Sequence, residues 1–287
     1  MSNLINAVIN VINNPILEIK THYSNKNRAN NAGDALEEFI KDLFADSFDS
    51  APEDRNKRWI EIFSYLGNNN NPPDIILKGG DAIEVKKIES KDASLALNSS
   101  YPKHTLRRDD PMISSFCRGC ENENENKDWY EKDIIYAVGV VEDNKLNSLC
   151  MVYGTEFCAS QECYEKIRQT IKDGVETITA VEFSETKELG RVNKVDPLGI
   201  TYLRIRGMWG IENPWKVFKD IYERDFSREF NFMCLISDKK WESFDNKEDL
   251  EKLIKEKADT VSKRDVEVKN PDNPAQPIKA KLISFMI

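Results

Sequence analysis

Apolar side chains in the first third of the chain follow two different spacings. Between residues 33 and 45 they recur every three or four positions, which predicts an amphipathic helix. This stripe consists of Leu36, Phe39, Ile40, Leu43 and Phe44. Residues 58–67 (RWIEIFSYLG) predict a strand, and the apolar runs at 73–78 and 82–89 predict the two arms of a β-hairpin around a Gly-Gly turn.

The remainder of the chain mixes strand and helix patterns. Runs rich in β-branched and aromatic residues predict strands, among them KDIIYAVGVV, SLCMVYGTEF, FNFMCLIS and AKLISFMI. The segment SQECYEKIRQTIKDG predicts a helix, and residues 263–279 predict an exposed loop. This mixture predicts an α/β fold in which a mixed β-sheet is flanked by helices. Because there is no internal repeat and no Pro/Gly/Ser-rich linker, we expect one elaborated domain over residues 1–287.

The charge balance and the cysteine content narrow the class of protein. A formal net charge of -9 argues against a protein that coats nucleic acid without selectivity, although an enzyme can concentrate basic residues in one cleft. The N-terminus has no basic segment followed by an uninterrupted apolar run, so neither a signal peptide nor a membrane span is expected. Six cysteines without a secretory signal favour a reducing cytoplasm, and no membrane partner is expected.

The hairpin at residues 72–87 (PPDIILKGGDAIEVKK) carries one acid in each arm and a lysine in the second arm. A three-residue loop at 79–81 would pair Asp74 with Lys86 across the strands. Because side chains alternate along a strand, this register puts Asp74, Glu84 and Lys86 on one face. The other face consists of Ile75, Leu77, Ile83 and Val85. Loops of two or four residues would mix apolar and charged side chains, so the pattern predicts that the three charged groups converge.

Convergence of these groups has a chemical meaning. Two carboxylates held close together repel each other unless a cation lies between them. Mg²⁺ prefers such hard oxygen ligands and is commonly held by one or two carboxylates with a substrate phosphate, which makes Asp74 and Glu84 candidate metal ligands. Lys86 could then orient the attacking water or stabilise charge on a scissile phosphate. The alternative is a half-exposed hairpin whose charges only pair across its strands.

Two further segments carry residue types that contact DNA. Hydroxyl, amide and cationic side chains in the first segment can bind phosphate oxygens or read base edges. These candidates are Asn98, Ser99, Ser100, Tyr101, Lys103, His104, Arg107 and Arg108. In the second segment Arg204 and Arg206 alternate on one strand face, and arginine commonly reads guanine. The alternatives are a polar surface loop and a solvated sheet face.

The cysteines allow a second kind of metal site. Cys117 and Cys120 have the spacing of half a zinc site, which Cys158 and Cys163 could complete. The spacing of the second pair is looser and no histidine is close to it in the sequence. The alternative is four reduced, partly buried thiols.

The hairpin also resembles a known nuclease motif. A PD pair, nine intervening residues and EVK resemble the PD-(D/E)xK nuclease superfamily, and GDALEEFI is similar to the first core helix of that superfamily. The resemblance implies a restriction-endonuclease-like core that begins near residue 30. It also implies a further metal ligand on this helix, for which Glu37 is the matching position and Glu38 the alternative. The segments NRANNAGDALEEFIKDLF, LALNSSYPK, KDIIYAVG and RVNKVDPLGITYLRIRGMW resemble type II restriction endonucleases of the NgoPII-like group.

This resemblance implies a function. It implies an Mg²⁺-dependent type II restriction endonuclease that cleaves double-stranded DNA at a short palindrome, with a target of the GGCC type. A palindromic target in turn suggests a homodimer, because symmetry in the DNA mirrors symmetry in the protein. Two alternatives stay open: a structure-specific repair or junction nuclease with the same core, and a non-catalytic DNA-binding protein.

Overall fold

The computed structural model describes residues 2–27, 32–48, 50–68, 71–121 and 129–287. The helices in these ranges are α1 (Leu4–Asn13), α2 (Ile19–Asn27), α3 (Ala32–Ala45), α4 (Pro52–Ile62), α5 (Ser115–Gly119), α6 (Gly154–Phe157), α7 (Gln161–Glu176), α8 (Pro214–Val217), α9 (Asp238–Glu242) and α10 (Lys247–Glu256). The strands are β1 (Phe63–Asn68), β2 (Asn71–Leu77), β3 (Ala82–Ile88), β4 (Leu95–Asn98), β5 (Thr105–Arg107), β6 (Glu131–Glu142), β7 (Lys145–Tyr153), β8 (Glu182–Phe183), β9 (Gly190–Asn193), β10 (Leu203–Ile205), β11 (Trp209–Ile211), β12 (Asn231–Ser237), β13 (Val261–Val268) and β14 (Ile278–Met286).

Most of the strands join one mixed sheet. Its order is β1-β2-β3-β6-β7-β12-β14-β13, and β5 pairs with β6 outside this path. The β3–β6 and β7–β12 pairs are parallel, and the other neighbours along the path are antiparallel. Strands β8 to β10 form a small separate sheet, and β4 pairs with β11. The predicted α/β architecture, a mixed sheet flanked by helices, is confirmed.

The sheet separates two apolar cores. Alternate residues of β6 enter opposite cores, so that Ile135 and Ala137 pack on one side and Ile134 and Val138 on the other. The first core contains apolar residues from α1, α3 and α10, whereas α8 and β4 contribute to the second. Because β6, β7 and β12 are covered on both faces, each of these strands contains a long apolar run.

Helix α3 lies directly against the strands that carry the candidate site. It begins at Ala32 and ends at Ala45, which confirms the helix predicted over 33–45. Its apolar stripe is fully within the first core. Close packing requires a glycine opposite the helix, since a Cβ at Gly139 would lie 2.7 Å from a methyl group of Leu36. The fold therefore fixes α3 next to β3 and β6.

Two local predictions were right only in part. The strand predicted over 58–67 begins only at Phe63, because Pro52 at the first turn and two acids behind it start a helix that continues to Ile62. Of the exposed loop predicted over 263–279, residues 269–277 lie outside helices and strands and are largely exposed, whereas the residues up to Val268 belong to the edge strand Val261–Val268, which pairs with β14.

Two further expectations concern a membrane span and the start of the core. None of the helices in the described ranges combines the length and the apolar character that a membrane crossing requires. The start of the core near residue 30, implied by the resemblance, lies outside the described residues.

Candidate active site

The hairpin that joins β2 and β3 has a register two positions away from the predicted one. Ile75 pairs with Ile83 and Ile76 with Ala82. The backbone of Leu77 donates a hydrogen bond to the carbonyl of Asp81 at 3.0 Å, so the three-residue loop covers 78–80 rather than 79–81. The predicted pairing of Asp74 with Lys86 is therefore wrong.

The physical reason for the shift lies outside the hairpin. The Asp81 carboxylate pairs with Lys240 at 2.7 Å and accepts a hydrogen bond from the Tyr153 hydroxyl at 2.7 Å. These contacts hold Asp81 at the buried start of β3 and keep it out of the turn. Gly79 takes the left-handed conformation in the turn, with φ of 61°.

A shift of two positions preserves the faces, because side chains alternate with a period of two. Ile75, Leu77 and Ile83 lie in the core beneath α3. Asp74, Glu84 and Lys86 together line a cleft on the other side of their strands. The predicted convergence of the three charged groups is thus present in the structure, although the register that produces it differs.

Asp74 is held by the backbone of the neighbouring strand. The amide of Val85 donates a hydrogen bond to Asp74 Oδ2 at 2.7 Å. Gly67 in β1 lets the chain pass, since a Cβ there would lie 2.8 Å from the Asp74 carbonyl oxygen. Burial raises the pKa of Asp74 to about 8, and the Glu84 carboxylate adds to this shift. Asp74 is therefore a positioned carboxyl group that lacks enough compensating positive charge.

Glu84 and Lys86 form an ion pair within one strand. Lys86 Nζ lies 2.6 Å from Glu84 Oε1. Burial opposes the charge on Lys86, but the Glu84 and Asp74 carboxylates outweigh burial and raise its pKa. Glu84 Oε2 is buried and has no hydrogen-bond partner among the described residues. One oxygen of this carboxylate is thus occupied by the ammonium group, and the other is available to a ligand.

Glu37 lies on the neighbouring helix α3. Its carboxylate pairs with Lys41 at 2.7 Å, one helical turn later. Lys41 is also 3.2 Å from Glu38, which pairs in turn with Arg55 at 3.0 Å. The negative charge of Glu37 is close enough to raise the pKa values of both Asp74 and Lys86. Glu37 therefore contributes to the electrostatics of the cleft while its carboxylate is held by Lys41.

The cleft has a volume of about 130 Å³. Five of the predicted DNA-contacting residues line it beside the three charged groups: Asn98, Ser99, Ser100, Tyr101 and Lys103. The remaining lining residues were not predicted from the sequence, and they are Asn71, Pro72, Leu97, Met112 and Tyr136. Tyr136 lies opposite Glu84 in the register of β6 with β3. Its hydroxyl is the one polar group within the apolar run from Ile134 to Val141, but the sequence contains no signal that places this run beside Glu84.

The side chain of Lys103 is more buried than we expect of a lysine that binds phosphate. Its side chain is buried and pairs with the buried Asp110 at 2.5 Å. Burial lowers the pKa of Lys103 although Asp110 opposes that shift. The ammonium group also lies 3.9 Å from the centre of the Tyr101 ring. These contacts fix the loop that carries the cleft wall, and they leave Lys103 with its charge already matched.

The other predicted DNA contacts lie away from the cleft lining. His104 Nδ1 is 2.9 Å from the carbonyl of Cys158, and Arg107 makes a two-point contact with Asp109. The guanidinium of Arg108 donates to the carbonyl of Arg118. Arg204 and Arg206 both pair with Glu188.

The zinc site proposed from the cysteines does not assemble among the described residues. Cys117, Cys120 and Cys158 are buried and Cys163 is exposed, and all four are free thiols. Burial raises the pKa of Cys117 to about 12, and its neighbour Cys120 adds to the shift. Because a thiol binds zinc as a thiolate, buried thiols of raised pKa fit the alternative of reduced cysteines.

The donor set in the cleft fits a divalent cation of the Mg²⁺ type. Asp74 and Glu84 supply two carboxylates, and the orphaned Oε2 of Glu84 is a buried acceptor that a cation would satisfy. Within the described ranges no three side chains of His, Cys, Asp or Glu form a metal cluster, so Glu37 does not join this pair here. Two carboxylates are enough for an ion that keeps several waters and also binds a substrate phosphate.

The chain is similar to known proteins over nearly its whole length. Residues 2–269 match the model of the family described as NgoPII restriction endonuclease. The protein named type II restriction enzyme NgoPII, from Neisseria gonorrhoeae, is 54% identical over 284 residues, which cover 99% of each chain. No solved structure matches the chain.

Proposed function

The chain belongs to the NgoPII restriction endonuclease family, and on this premise we propose that it is a type II restriction enzyme that hydrolyses double-stranded DNA. The substrate is a phosphodiester within a short palindrome, and the products carry a 5′-phosphate and a 3′-hydroxyl. The proposed cofactor is Mg²⁺. The proposal depends most on one observation, which is the convergence of Asp74, Glu84 and Lys86 in the cleft.

The three charged groups have separate roles in this proposal. Asp74 and Glu84 hold Mg²⁺, and the amide of Val85 orients the Asp74 carboxylate by its hydrogen bond. When bound, Mg²⁺ neutralises charge on the scissile phosphate and makes water more acidic. A cation held there would also offset the Glu84 charge, which adds to the effect of burial on the pKa of Asp74.

Lys86 acts on the nucleophile and the phosphate. Its ammonium group is 2.6 Å from Glu84 Oε1, so it stands next to the site of hydrolysis. There it holds the attacking water by hydrogen bonding and stabilises the negative charge that develops on the phosphate. Glu37 supports this arrangement as a further ligand or a second-metal ligand, which requires its carboxylate to leave Lys41.

The cleft wall supplies the contacts to DNA. Asn98, Ser99 and Ser100 lie at the end of β4 beside the carboxylates, and Asn98 takes the left-handed backbone conformation with φ of 51°. Their short polar side chains suit phosphate oxygens and base edges close to the scissile bond. Tyr101 lies next to them. His104, Arg107, Arg108, Arg204 and Arg206 are proposed contacts farther along the duplex.

We propose a homodimer that cuts both strands of a palindrome, and we take GGCC as the first target to test. The experiment incubates the protein with plasmid and phage DNA in Mg²⁺ and sequences the cut ends. Cleavage at one reproducible palindrome supports the proposal. Cleavage restricted to branched or damaged DNA would replace it with a repair or junction nuclease.

A matched pair of variants tests the role of the cleft. Glu84→Gln keeps the size of the side chain and removes the charge, whereas Glu89→Gln makes the same change just beyond the end of β3, where the side chain is exposed. We expect Glu84→Gln to lower the cleavage rate by at least 10³-fold, a loss of about 4 kcal/mol in transition-state stabilisation. Glu89→Gln should retain the wild-type rate. Equal rates for both variants would indicate a non-catalytic cleft.

A further inference from the structure

A groove outside the active-site cleft lies between α7 and the segment that contains β8 and β9. Its volume is about 760 Å³, compared with about 130 Å³ for the cleft. One side consists of residues 183–187 and 189–191, and the side on α7 consists of Arg168, Lys172, Val175 and Glu176. The helix and β9 are in close contact at one point, since a Cβ at Gly190 would lie 3.1 Å from a methyl group of Val175.

The lining of this groove is more basic than the protein as a whole. Four cations line it together with two acids, namely Arg168, Lys172, Lys187 and Arg191 with Glu176 and Glu185. The lining therefore carries a formal charge of +2 (four minus two), whereas the whole chain carries -9. Ser184 and Thr186 add hydroxyl groups. Cations and hydroxyls together suit the oxygens of phosphate groups.

The cations of the groove keep their charge available. Among the described residues, Lys172, Lys187 and Arg191 form no ion pair with an acid. Lys172 donates to the carbonyl of Thr186, and Arg191 donates to the side-chain oxygen of Asn193, both at 3.3 Å. These partners are neutral and leave the positive charges uncompensated. An anionic ligand would compensate them.

The arginines that the sequence suggested as DNA contacts are already paired with acids. Arg107 pairs with Asp109 at 2.7 Å, and Arg204 and Arg206 share Glu188. Glu188 belongs to the segment that forms one side of the groove, but it is not among the residues that line it. The acid of this segment is thus used by the two arginines, and the groove retains its excess of positive charge.

The groove adjoins the active-site cleft. Pro111 lines the groove, and the next residue, Met112, lines the cleft. Tyr101 of the cleft donates a hydrogen bond to Glu165 at 2.8 Å, and Glu165 lies 3.5 Å from Arg168 of the groove. Each strand of DNA carries a phosphate about every 3.4 Å along the helix axis. A duplex whose scissile phosphate lies in the cleft therefore has further phosphates next to the groove.

We propose that this groove binds the phosphate backbone of DNA beside the scissile position, and that Lys172, Lys187 and Arg191 neutralise phosphates there. The choice of DNA as the ligand rests on the proposed function. Pockets for small molecules are lined predominantly by apolar and aromatic side chains, whereas eight of the thirteen residues that line this groove are polar or charged. Because phosphate contacts carry no sequence information, the groove fixes the duplex in the cleft without selecting the target.

The salt dependence of DNA binding tests this proposal. Lys172→Gln combined with Lys187→Gln removes two charges from the groove. Lys166→Gln combined with Lys255→Gln is the matched control, because it removes two exposed lysines, one on α7 outside the groove lining and one on α10. Fluorescence anisotropy measures the affinity of the full chain for a duplex with GGCC and for one of scrambled sequence. The titrations are made in EDTA at several salt concentrations, and circular dichroism checks that both variants are folded.

The expected result is a change in slope. Each phosphate contact contributes about 0.9 to the slope of log affinity against log salt, so the Lys172/Lys187 variant should have a slope smaller by about 2. Its affinity should fall by the same factor for both duplexes. The control should keep the wild-type slope.

Three outcomes would overturn the proposal. They are a Lys172/Lys187 variant with the wild-type slope, a control that loses as much slope as this variant, and a wild type that binds neither duplex at low salt. Failure of the proposed function is distinguishable, because it appears as a wild-type protein that does not cleave DNA in Mg²⁺ although its slope depends on the groove. A wild type that cleaves one palindrome while the Lys172/Lys187 variant keeps the slope would contradict the groove alone.

Discussion

Arg55 is a buried cation on α4 that pairs with two acids of α3. Only 2% of its side chain is exposed, and it pairs with Asp42 at 2.8 Å and with Glu38 at 3.0 Å. Its guanidinium also lies 4.3 Å from the ring centre of Trp59. Helix α3 carries Glu37, so this cluster fixes the helix whose negative charge acts on Asp74 and Lys86. We predict that Arg55→Met destabilises the protein strongly.

The loss of stability in Arg55→Met depends on the buried acids that remain when the arginine is removed. Removing one member of a buried ion pair costs about 3–5 kcal/mol, because the other charge remains buried without compensation. Asp42 keeps hydrogen bonds from Tyr23, Ser47 and Trp59. Methionine preserves much of the packing of the arginine stem. We therefore expect the lower end of the range, a loss of about 3 kcal/mol in the free energy of unfolding.

Urea denaturation followed by circular dichroism measures this loss. With a slope of about 3 kcal/mol per M, the midpoint of the Arg55→Met transition should fall by roughly 1 M. Lys57→Met on the same helix is the control, since its ion pair with Asp54 is exposed and should contribute less than about 1 kcal/mol. Adding Asp42→Asn to Arg55→Met should recover part of the loss. A loss below about 1 kcal/mol, or no recovery, would refute the reasoning.

Three further predictions concern separate parts of the molecule. Asp74→Asn should abolish cleavage. It should also abolish the stabilisation by Mg²⁺, which raises the Tm of the wild type and amounts to about 1.4 kcal/mol when the Mg²⁺ concentration is tenfold above Kd. An equal rise in Tm in both proteins would contradict metal binding by Asp74. Burial raises the pKa of Glu156 from 4.5 to about 7, so the folded protein retains a proton that the unfolded chain releases, and stability should fall as pH rises through this window. Chemical denaturation from pH 4.5 to 8 should show a fall of up to about 3 kcal/mol in the wild type relative to Glu156→Gln, and parallel profiles would contradict it. Tyr101→Phe should lower stability by about 1 kcal/mol through loss of the Glu165 hydrogen bond, with an unchanged urea midpoint as the contrary result.

The sequence alone was sufficient for the faces of the hairpin but not for its register. The alternation of apolar and charged positions places Ile75 and Ile83 on one face of the hairpin and Asp74 and Glu84 on the other. A shift of the register by two positions leaves each residue on the same face. The register itself depends on Asp81, which is held by Lys240 at a separation of 159 residues. A contact between residues so far apart in the sequence leaves no signal in the residues of the turn. The same limit explains why Tyr136 was missed as a cleft residue, since only the parallel pairing of β3 with β6 brings it to Glu84.

Local signals were misleading where two elements meet. The run RWIEIFSYLG has strand-like apolar spacing at its end, yet helix-favouring acids and Pro52 upstream extend α4 to Ile62. Lys103 looked like a surface cation because it lies in a basic stretch, whereas Asp110, seven residues later, neutralises it in the interior. In both cases the residues that decide the outcome, Pro52 and Asp110, are present in the sequence, but the sequence does not show their effect on the structure.

The ion pairs of the interior contrast with the charges in the cleft. Asp42 is paired with Arg55, Asp81 with Lys240 and Asp110 with Lys103, so each of these buried acids lies beside a cation. Asp74 has a single backbone amide, and Glu84 shares Lys86 on one oxygen while the other has no partner. One lysine between two carboxylates leaves the cleft with excess negative charge in a buried setting, which raises the pKa of Asp74. Glu156 is a further buried acid without a paired cation, and burial raises its pKa to about 7. Asp74 and Glu84 differ from it because they are two carboxylates that line one cleft, which is a donor set that a divalent cation would bind.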